Sequence, residues 1–486
     1  MVDVLFTHSY FLRFDPKEFR AMMPYPPLGT LYAASYARLR GYSVALFDSM
    51  LATHEEEILP AIEVHRPKVV VIYDDDFNYL TKMCLSRMRE AAFRLAALAK
   101  KQGCTVIVHG SDPVDHVDSY LGHNSDYVVI GEGEQTLAET LDCILKKGQR
   151  REIIRGLAFK TGDAVHRAPP RDVLRDLDSL PTPAWDLVDI DRYRLLWKKR
   201  HGYFSLNLVT TRGCPFHCNW CAKPIYGQVY NSRSPANVAR EMKFLKSTAQ
   251  PDHIWFCDDI FGLKPGWVAE FSKEVISQKA VIPFKCLCRV DLLLKGDVIA
   301  DLRRAGCTTV WVGAESGSQK ILDAMEKGTT VEQISEAAMR LQKAGIHVGF
   351  FLQYGYPGET LDDIRRTLKM VKDCRPDEIG ISVSYPLPGT KFYETVRQKL
   401  GEKHNWVDSQ DLAMMFAGTY VADFYRTLHK VTHKKFRIWQ GMSILKKTIM
   451  RPWLWDSKKL RRVAAGAFHL STLPRYALKL DALARK

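Results

Sequence analysis

Three cysteines in this chain share one short loop. Across Thr210-Thr211-Arg212-Gly213-Cys214-Pro215-Phe216-His217-Cys218-Asn219-Trp220-Cys221 their spacing is C-x3-C-x2-C. Thiolates grouped in this way suit an iron–sulfur cubane, whose irons are thiolate-ligated. No fourth cysteine lies nearby, so one iron would stay open to another ligand. Zinc competes for such residues. A closed zinc site takes four ligands, however, and His217 lies inside the loop rather than at a ligand-pair spacing. A disulfide is disfavoured in the reducing compartment that the rest of the sequence implies. The other eight cysteines (Cys84, Cys104, Cys143, Cys257, Cys286, Cys288, Cys307 and Cys374) have mostly apolar or strand-like neighbours and read as small buried hydrophobes.

The elements that must position this loop form two strand–helix series. In the first, the apolar runs VDVLF, YSVALF, KVVVIY, CTVIVHG and DYVVIG read as buried parallel strands, with helices expected over Leu28–Leu39, Glu55–His65, Lys82–Lys101 and Glu134–Lys147. This is the pattern of a doubly wound, Rossmann-like sheet, which binds ligands beyond the carboxyl ends of its strands. Those ends are Thr7–Tyr10, Tyr73–Asp76, Gly110–Asp112 and Gly131–Glu134. A proline-punctuated stretch, DLDSLPTPAWDLVD, reads as a connector. The second series has six strand candidates, SLNLVTT, HIWFCDD, FKCLCRV, TTVWVGAE, HVGFFLQYG and IGISVSY. Six units are too few for a closed eight-unit barrel and predict a partial (β/α)6 barrel. The expected α/β organisation is a sheet domain over residues 1–150, a connector over 151–200, the partial barrel over 201–395 and a helical basic region over 396–486.

The cysteine stretch resembles the cluster loop of the radical S-adenosylmethionine (SAM) superfamily, which has this spacing and an aromatic before the last Cys. Further matches follow in order. Trp255-Phe256-Cys257-Asp258-Asp259 ends the second strand and Arg289 the third. Gly313-Ala314-Glu315-Ser316-Gly317 ends the fourth, and Gly355-Tyr356-Pro357-Gly358-Glu359 and Pro386-Leu387-Pro388-Gly389-Thr390 end the fifth and sixth. Each alone could be an ordinary strand-to-helix turn. The resemblance implies a [4Fe–4S] cluster on Cys214, Cys218 and Cys221, as metal ligands and catalytic centre. It implies SAM contacts at Asp258, Asp259, Arg289, Gly313, Glu315, Ser316 and Gly355, and a 5′-deoxyadenosyl radical as the reactive species.

Upstream, Pro26-Pro27-Leu28-Gly29, Gly110-Ser111-Asp112-Pro113 and Gly131-Glu132-Gly133-Glu134 resemble the cobalamin-binding domain fused to one radical SAM subgroup. That subgroup includes anaerobic magnesium-protoporphyrin monomethyl ester cyclases, hopanoid-modifying enzymes and cobalamin-dependent methylases. Pro27, Gly29, Gly110, Ser111, Gly131, Glu132 and Gly133 become the expected cobalamin contacts. The Asp-x-His-x-x-Gly signature of a His ligand to cobalt is absent, because Phe6 and Phe11 flank His8 where Asp and Gly should stand. His8 therefore reads as a loop or core histidine. The run Tyr73-Asp74-Asp75-Asp76 either faces a corrin or is solvated.

The leading expectation is a cobalamin-dependent methyltransferase acting on an unactivated carbon of a small-molecule or lipid-like substrate. It would draw electrons from a donor such as flavodoxin or ferredoxin. A radical oxidative cyclase or rearrangement enzyme is the alternative. A transfer-RNA methylthiotransferase would need a second cysteine triad, and Cys84, Cys104 and Cys143 are too scattered for one. A non-catalytic cofactor-binding protein completes the set.

Composition bounds where such an enzyme works. The 486 residues carry a net charge of +15. From Phe424 onward sixteen Lys and Arg face only Asp456 and Asp481, so nearly all of that excess sits in the C-terminal region. Lys446 to Trp455 mixes cations with two tryptophans, and Lys458, Lys459, Arg461 and Arg462 precede the apolar run Val463–Leu473. Such a mixture fits an interfacial helix on an anionic membrane. Nucleic acid would satisfy the same charge, and a solvated helical face is the plain alternative. No apolar stretch reaches the roughly 18–20 residues that span a bilayer, and the N-terminus lacks the form of a secretory signal. A cytoplasmic protein is expected.

Overall fold

The structure, a computed structural model, describes every residue except 147, 149, 449–454 and 486. The middle of the cation–tryptophan stretch, with Arg451 and Trp453, thus lies outside the described residues.

The N-terminal sheet contains β1 (Val4–Thr7), β2 (Val44–Leu46), β3 (Val69–Tyr73), β4 (Thr105–His109), β5 (Tyr127–Val129), β6 (Leu157–Thr161) and β7 (Ala164–Arg167). Their order is β2-β1-β3-β4-β5-β6-β7, with the first five parallel. Helices cover both faces, which is why β3, VVVIY, is buried at every residue instead of alternating. The chain reverses direction across the sheet between β1 and β3, the place where doubly wound sheets bind ligands. The strands β6 and β7 add an antiparallel hairpin at the edge. The segment expected to open the connector therefore extends the sheet. Its alternation is weak because β7 is partly exposed on both faces.

The second sheet begins with β8 (Ser205–Leu208). A two-stranded ribbon, β9 (Thr211–Arg212) with β10 (Asn231–Ser232), then brackets the cysteine loop. The series continues with β11 (His253–Phe256), β12 (Phe284–Cys288), β13 (Cys307–Glu315), β14 (His347–Tyr354) and β15 (Glu378–Val383). The order β15-β14-β13-β12-β11-β8 is parallel throughout and open, as a partial barrel requires. The helices between strands start where side chains cap them. Ser234 accepts from Asn237 N ahead of Pro235–Thr248, and Thr330 and Thr360 close capping boxes on the two helices flanking β14. Two long helices, Ala422–Thr448 and Ser457–Leu483, form a hairpin after the barrel.

One buried ion cluster joins the two sheets. The Arg212 guanidinium donates from Nη2 to Glu134 Oε1 at 2.5 Å and from Nη1 to Glu132 Oε1, and all three residues are buried. The rings of Tyr32, Phe77 and Tyr226 stand 5.2–5.8 Å from the same cation. Removing one partner from a buried ion cluster leaves an uncompensated charge and costs about 3–5 kcal/mol. Arg212→Met is expected to lose about that much in urea unfolding. Adding Glu132→Gln and Glu134→Gln should return most of it. Parental stability in the single variant would show that the cluster does not join the sheets.

A second buried acid sets a pH dependence. Glu359, after β14, accepts from Gly355 N at 2.7 Å through Oε2, while Oε1 has no partner. Burial pushes its carboxyl from 4.5 up to about 8. The folded chain then keeps a proton that the unfolded chain releases above 4.5, so this contribution is full below 4.5 and is lost as pH rises toward 8. Glu359→Gln keeps an acceptor and cannot ionise. Its unfolding free energy should fall less than the parent's between about pH 6 and pH 8; equal slopes would remove Glu359 from the pH response.

Candidate functional site

The cysteine loop leaves β9 at Gly213, whose φ of +79° suits glycine. A Cβ there would meet Val229 O at 2.2 Å, so no other residue starts this turn without moving the ribbon. Beneath the turn Asp258 accepts four hydrogen bonds of 2.7–2.9 Å, from the backbone N and hydroxyl of both Thr210 and Thr211. Burial raises its carboxyl to about 6 against those four bonds. Asp258 was expected at the bound SAM; in the structure its oxygens hold the stem of the cysteine loop.

The far end of the loop is clamped through Asn219. Its backbone N donates to Met325 O at 3.1 Å and its Nδ2 to Ala324 O at 2.8 Å. Its backbone O accepts from Phe392 N at 2.8 Å, and its Oδ1 accepts from Tyr356 OH at 3.1 Å. In the middle of the loop, the Lys223 ammonium donates to Phe216 O, and the Arg289 guanidinium lies 3.6 Å from the centre of the Phe216 ring. Arg289 also donates to Lys327 O at 3.0 Å and Asp291 Oδ1 at 3.0 Å. Lys327 in turn pairs with Glu315 at 2.8 Å. Gly313 makes room for that pair, since a Cβ there would come within 2.5 Å of both partners. Glu315 itself has φ +55°, a left-handed conformation that is strained for a non-glycine residue and common at functional sites. Ser316 is buried against Thr367 Oγ1 at 3.1 Å, and Gly355 holds Glu359. Asp259 faces the N-terminal domain and pairs with Lys82 at 2.6 Å.

These placements set Arg289 against the cysteine loop through Phe216 and the Lys327 partner of Glu315 5.8 Å from the Trp220 ring, while Cys221 and Glu315 line one cavity. Cys218 and Cys221 are half-buried and Cys214 is buried, all three as free thiols. Burial pushes the Cys221 thiol up to about 12, with Asp259 adding to the effect. Among the described residues no three His, Cys, Asp or Glu groups converge on a point as a single ion would ask. A cubane asks for something different, because each thiolate binds a separate iron. Three thiols held at both ends of one loop fit that group.

The N-terminal candidates fall into two sets. Glu132 is committed to Arg212, and Gly133 admits Tyr73, whose hydroxyl a Cβ would meet at 2.5 Å. Pro27 and Gly29 open the helix Leu28–Leu39, and Gly29 N donates to Asp75 at 2.9 Å. Gly131 turns the chain after β5 at φ +74°. Gly110, at φ +145°, lies against Asp74, so Ser111 follows β4 in close contact with the end of β3. The second set is unsatisfied. Thr7 Oγ1, Ser9 Oγ, Tyr10 OH, Asp76 Oδ1 and Ser111 Oγ are buried at the carboxyl ends of β1, β3 and β4 without a hydrogen-bond partner. Buried polar atoms ordinarily have partners, so a polar ligand reaching these ends fits the donor set. Asp74, Asp75 and Asp76 are all buried, and burial lifts the first two to about 6. His8 is buried and pairs with Asp48 at 3.0 Å, consistent with a core histidine.

Between the two domains lies a cavity of about 380 Å³. Trp220, Cys221 and Glu315 line it from the cluster side, Tyr79, Lys82 and Met83 from the N-terminal domain. Phe351, Tyr385 and Trp406 close the remainder. Sequence reasoning missed Arg212, Asn219, Lys82 and Lys327. Arg212 and Asn219 stood inside the cysteine motif, but their side-chain hydrogen-bond partners lie 78 or more residues away, where no local spacing points to them.

Comparison with known proteins agrees with this geometry. The radical SAM superfamily description matches residues 208–371. The chain is 30% identical to an uncharacterized methyltransferase, PH0819, of Pyrococcus horikoshii, over 78% of this chain and 81% of that protein. It is 25% identical to the anaerobic magnesium-protoporphyrin IX monomethyl ester cyclase of Rubrivivax gelatinosus, over 79% and 69%. In fold it resembles OxsB, a cobalamin-dependent SAM radical enzyme solved with aqua-cobalamin and SAM bound. The TM-score is 0.72 at 15% identity, over 98% of this chain and 72% of that one. The radical SAM methyltransferase TsrM from Kitasatospora setae, solved with cobalamin and a [4Fe-4S] cluster bound, gives a TM-score of 0.67 at 19% identity, over 81% and 78%. The cysteine loop, the partial barrel around it and these likenesses make this chain an enzyme belonging to the radical SAM superfamily.

Proposed function

We propose that this enzyme is a cobalamin-dependent radical SAM methyltransferase that alkylates an unactivated carbon of an apolar small-molecule or lipid-like substrate. The observation that carries the reading is the position of the cavity. Its walls come from the cysteine loop on one side and from Tyr79–Met83 of the Rossmann-like domain on the other. A substrate there would meet groups held by both domains at once. When bound, the cluster and SAM supply hydrogen abstraction, and cobalamin supplies the methyl group.

In this reading Cys214, Cys218 and Cys221 would hold the cluster, and SAM would bind beside it. Arg289 and the Glu315–Lys327 pair would meet SAM there, with Gly313, Ser316 and Gly355 shaping the strand ends. Asp258 and Asn219 keep the thiols in place. Thr7, Ser9 and Ser111 would hold the polar tail of cobalamin. The rings of Trp220, Phe351 and Trp406 give the cavity apolar walls, which favours a largely apolar substrate. A small flavodoxin- or ferredoxin-like protein would deliver the electron.

The test is anaerobic reconstitution with iron, sulfide and hydroxocobalamin, followed by desalting. About four irons per chain and retained cobalt are expected. Cys218→Ala should lose the iron and all deoxyadenosine formed from SAM under reduction. The triple variant Thr7→Val, Ser9→Ala, Ser111→Ala should lower cobalt retention at least tenfold while iron stays. With methyl-labelled SAM and a lipid extract, label in an extracted product supports methylation. Deoxyadenosine formed without transfer would favour the cyclase type, and absence of retained cobalt would end the cobalamin part of the reading.

A further inference from the structure

The chain's excess charge is carried by its C-terminal hairpin. The two helices cross at Gly441 and Gly466, where a Cβ built on either glycine lies 3.4 Å from the other's Cα. The first helix turns its remaining side to the barrel: Gln440 Nε2 donates to Asp377 O at 2.8 Å, and Thr432 Oγ1 lies 3.2 Å from Tyr354 OH. The last helix is thereby left with one face against nothing.

That face is apolar. Leu460 is 57% exposed, Phe468 63% and Leu478 72%, and exposed Ala464 and Ala482 fall on the same side at helical spacing. Among the described residues its cations, Arg461, Arg475 and Lys479, form no salt bridge, and Asp481 is the one described acid that borders the face. Asp456 caps the helix start by accepting from Lys459 N at 2.8 Å, and Asp481, at the edge of the face, is drawn toward Lys435 of the first helix. Three possible occupants differ in what they offer such a face. A second copy would bring the same positive hairpin against this one. Nucleic acid would match the charge but leave Leu460, Phe468 and Leu478 in water. An anionic bilayer offers acyl chains to the apolar residues and phosphates to the cations. No described helix is long and apolar enough to cross it.

We propose that the helix Ser457–Leu483 docks this protein on an anionic lipid surface. Leu460, Phe468 and Leu478 enter the boundary between headgroups and acyl chains, and Arg461, Arg475 and Lys479 lie at the phosphates. The helix rests in the plane of the interface, not across it. The inference stands on the hairpin alone and does not depend on the cofactors.

The experiment is co-sedimentation of the full-length protein with phosphatidylcholine vesicles, with and without phosphatidylglycerol. Binding should require phosphatidylglycerol and weaken as salt rises. The variant Leu460→Glu, Phe468→Glu, Leu478→Glu should bind at least tenfold more weakly. It should keep a near-parental thermal midpoint, because those side chains are 57–72% exposed and the Lys434 ammonium, 5.7 Å from the Phe468 ring centre, can pair with a glutamate there instead. The variant Arg461→Gln, Arg475→Gln, Lys479→Gln should lose the preference for phosphatidylglycerol. Three results would overturn the proposal. The first is no binding to anionic vesicles at low salt, or binding that the apolar substitutions leave unchanged. The second is single-stranded RNA bound where vesicles are ignored. The third is a dimer in sedimentation that the glutamate variant dissolves.

Discussion

The arrangement of this site depends on one buried cation. Arg212 stands two residues before the first cysteine, and its guanidinium is held by two glutamates from the other domain. A guanidinium and two carboxylates taken out of water are costly unless each finds its partner at short range. The cost makes the geometry selective: small displacements of either domain would strip the ions of their partners while keeping them dry. The surrounding rings of Tyr32, Phe77 and Tyr226 keep out the water that would soften that penalty. The start of the cysteine loop is therefore fixed relative to the Rossmann-like sheet as well as to the barrel that carries it.

From that anchor the loop is supported in succession by separate strands. Asp258 at the end of β11 gathers the backbone of Thr210 and Thr211, and Asn219 is tied to the helix after β13 and to Tyr356 after β14. None of these groups is a thiol, yet each decides where a thiol can be. A cluster site whose ligands are set by neighbouring hydrogen bonds needs little rearrangement when it binds its group. Asp258 serves that support from beneath the loop, where it accepts from four donors.

The strands and most helices were legible because their information is local. The parallel strands of both sheets announce themselves as short apolar runs, and the helix expected over Leu28–Leu39 forms over those residues. The cysteine triad was legible for the same reason. The hairpin β6–β7 was not, since an edge ribbon with one solvated strand has no strong period. Nor was the commitment of Glu132, which the resemblance offered as a cobalamin contact and which the fold sets beside Arg212. Orientation across domains is a property of tertiary packing, and residue spacing along the chain does not encode it.

The same distinction explains why chemistry is easier to read here than substrate. The superfamily match ends at residue 371, but the cavity is completed by residues on either side of the matched span. Tyr79–Met83 come from the N-terminal domain, and Tyr385, Trp406 and Leu412 come from beyond the match. These outer pieces hold one another. Ser86 N donates to Trp406 O at 2.9 Å, Arg89 reaches Asn405 at 2.9 Å, and Ser409 is bound by Asp15 through both its N and its hydroxyl. The segment that closes the cavity is thus seated on the Rossmann-like domain by hydrogen bonds independent of the cysteine loop. Evolution can change what fits between Trp220 and Trp406 by altering that seat while leaving the thiols where Arg212, Asp258 and Asn219 hold them. Relatives that share the loop and differ in what they act on are the expected consequence of a fold divided in this way.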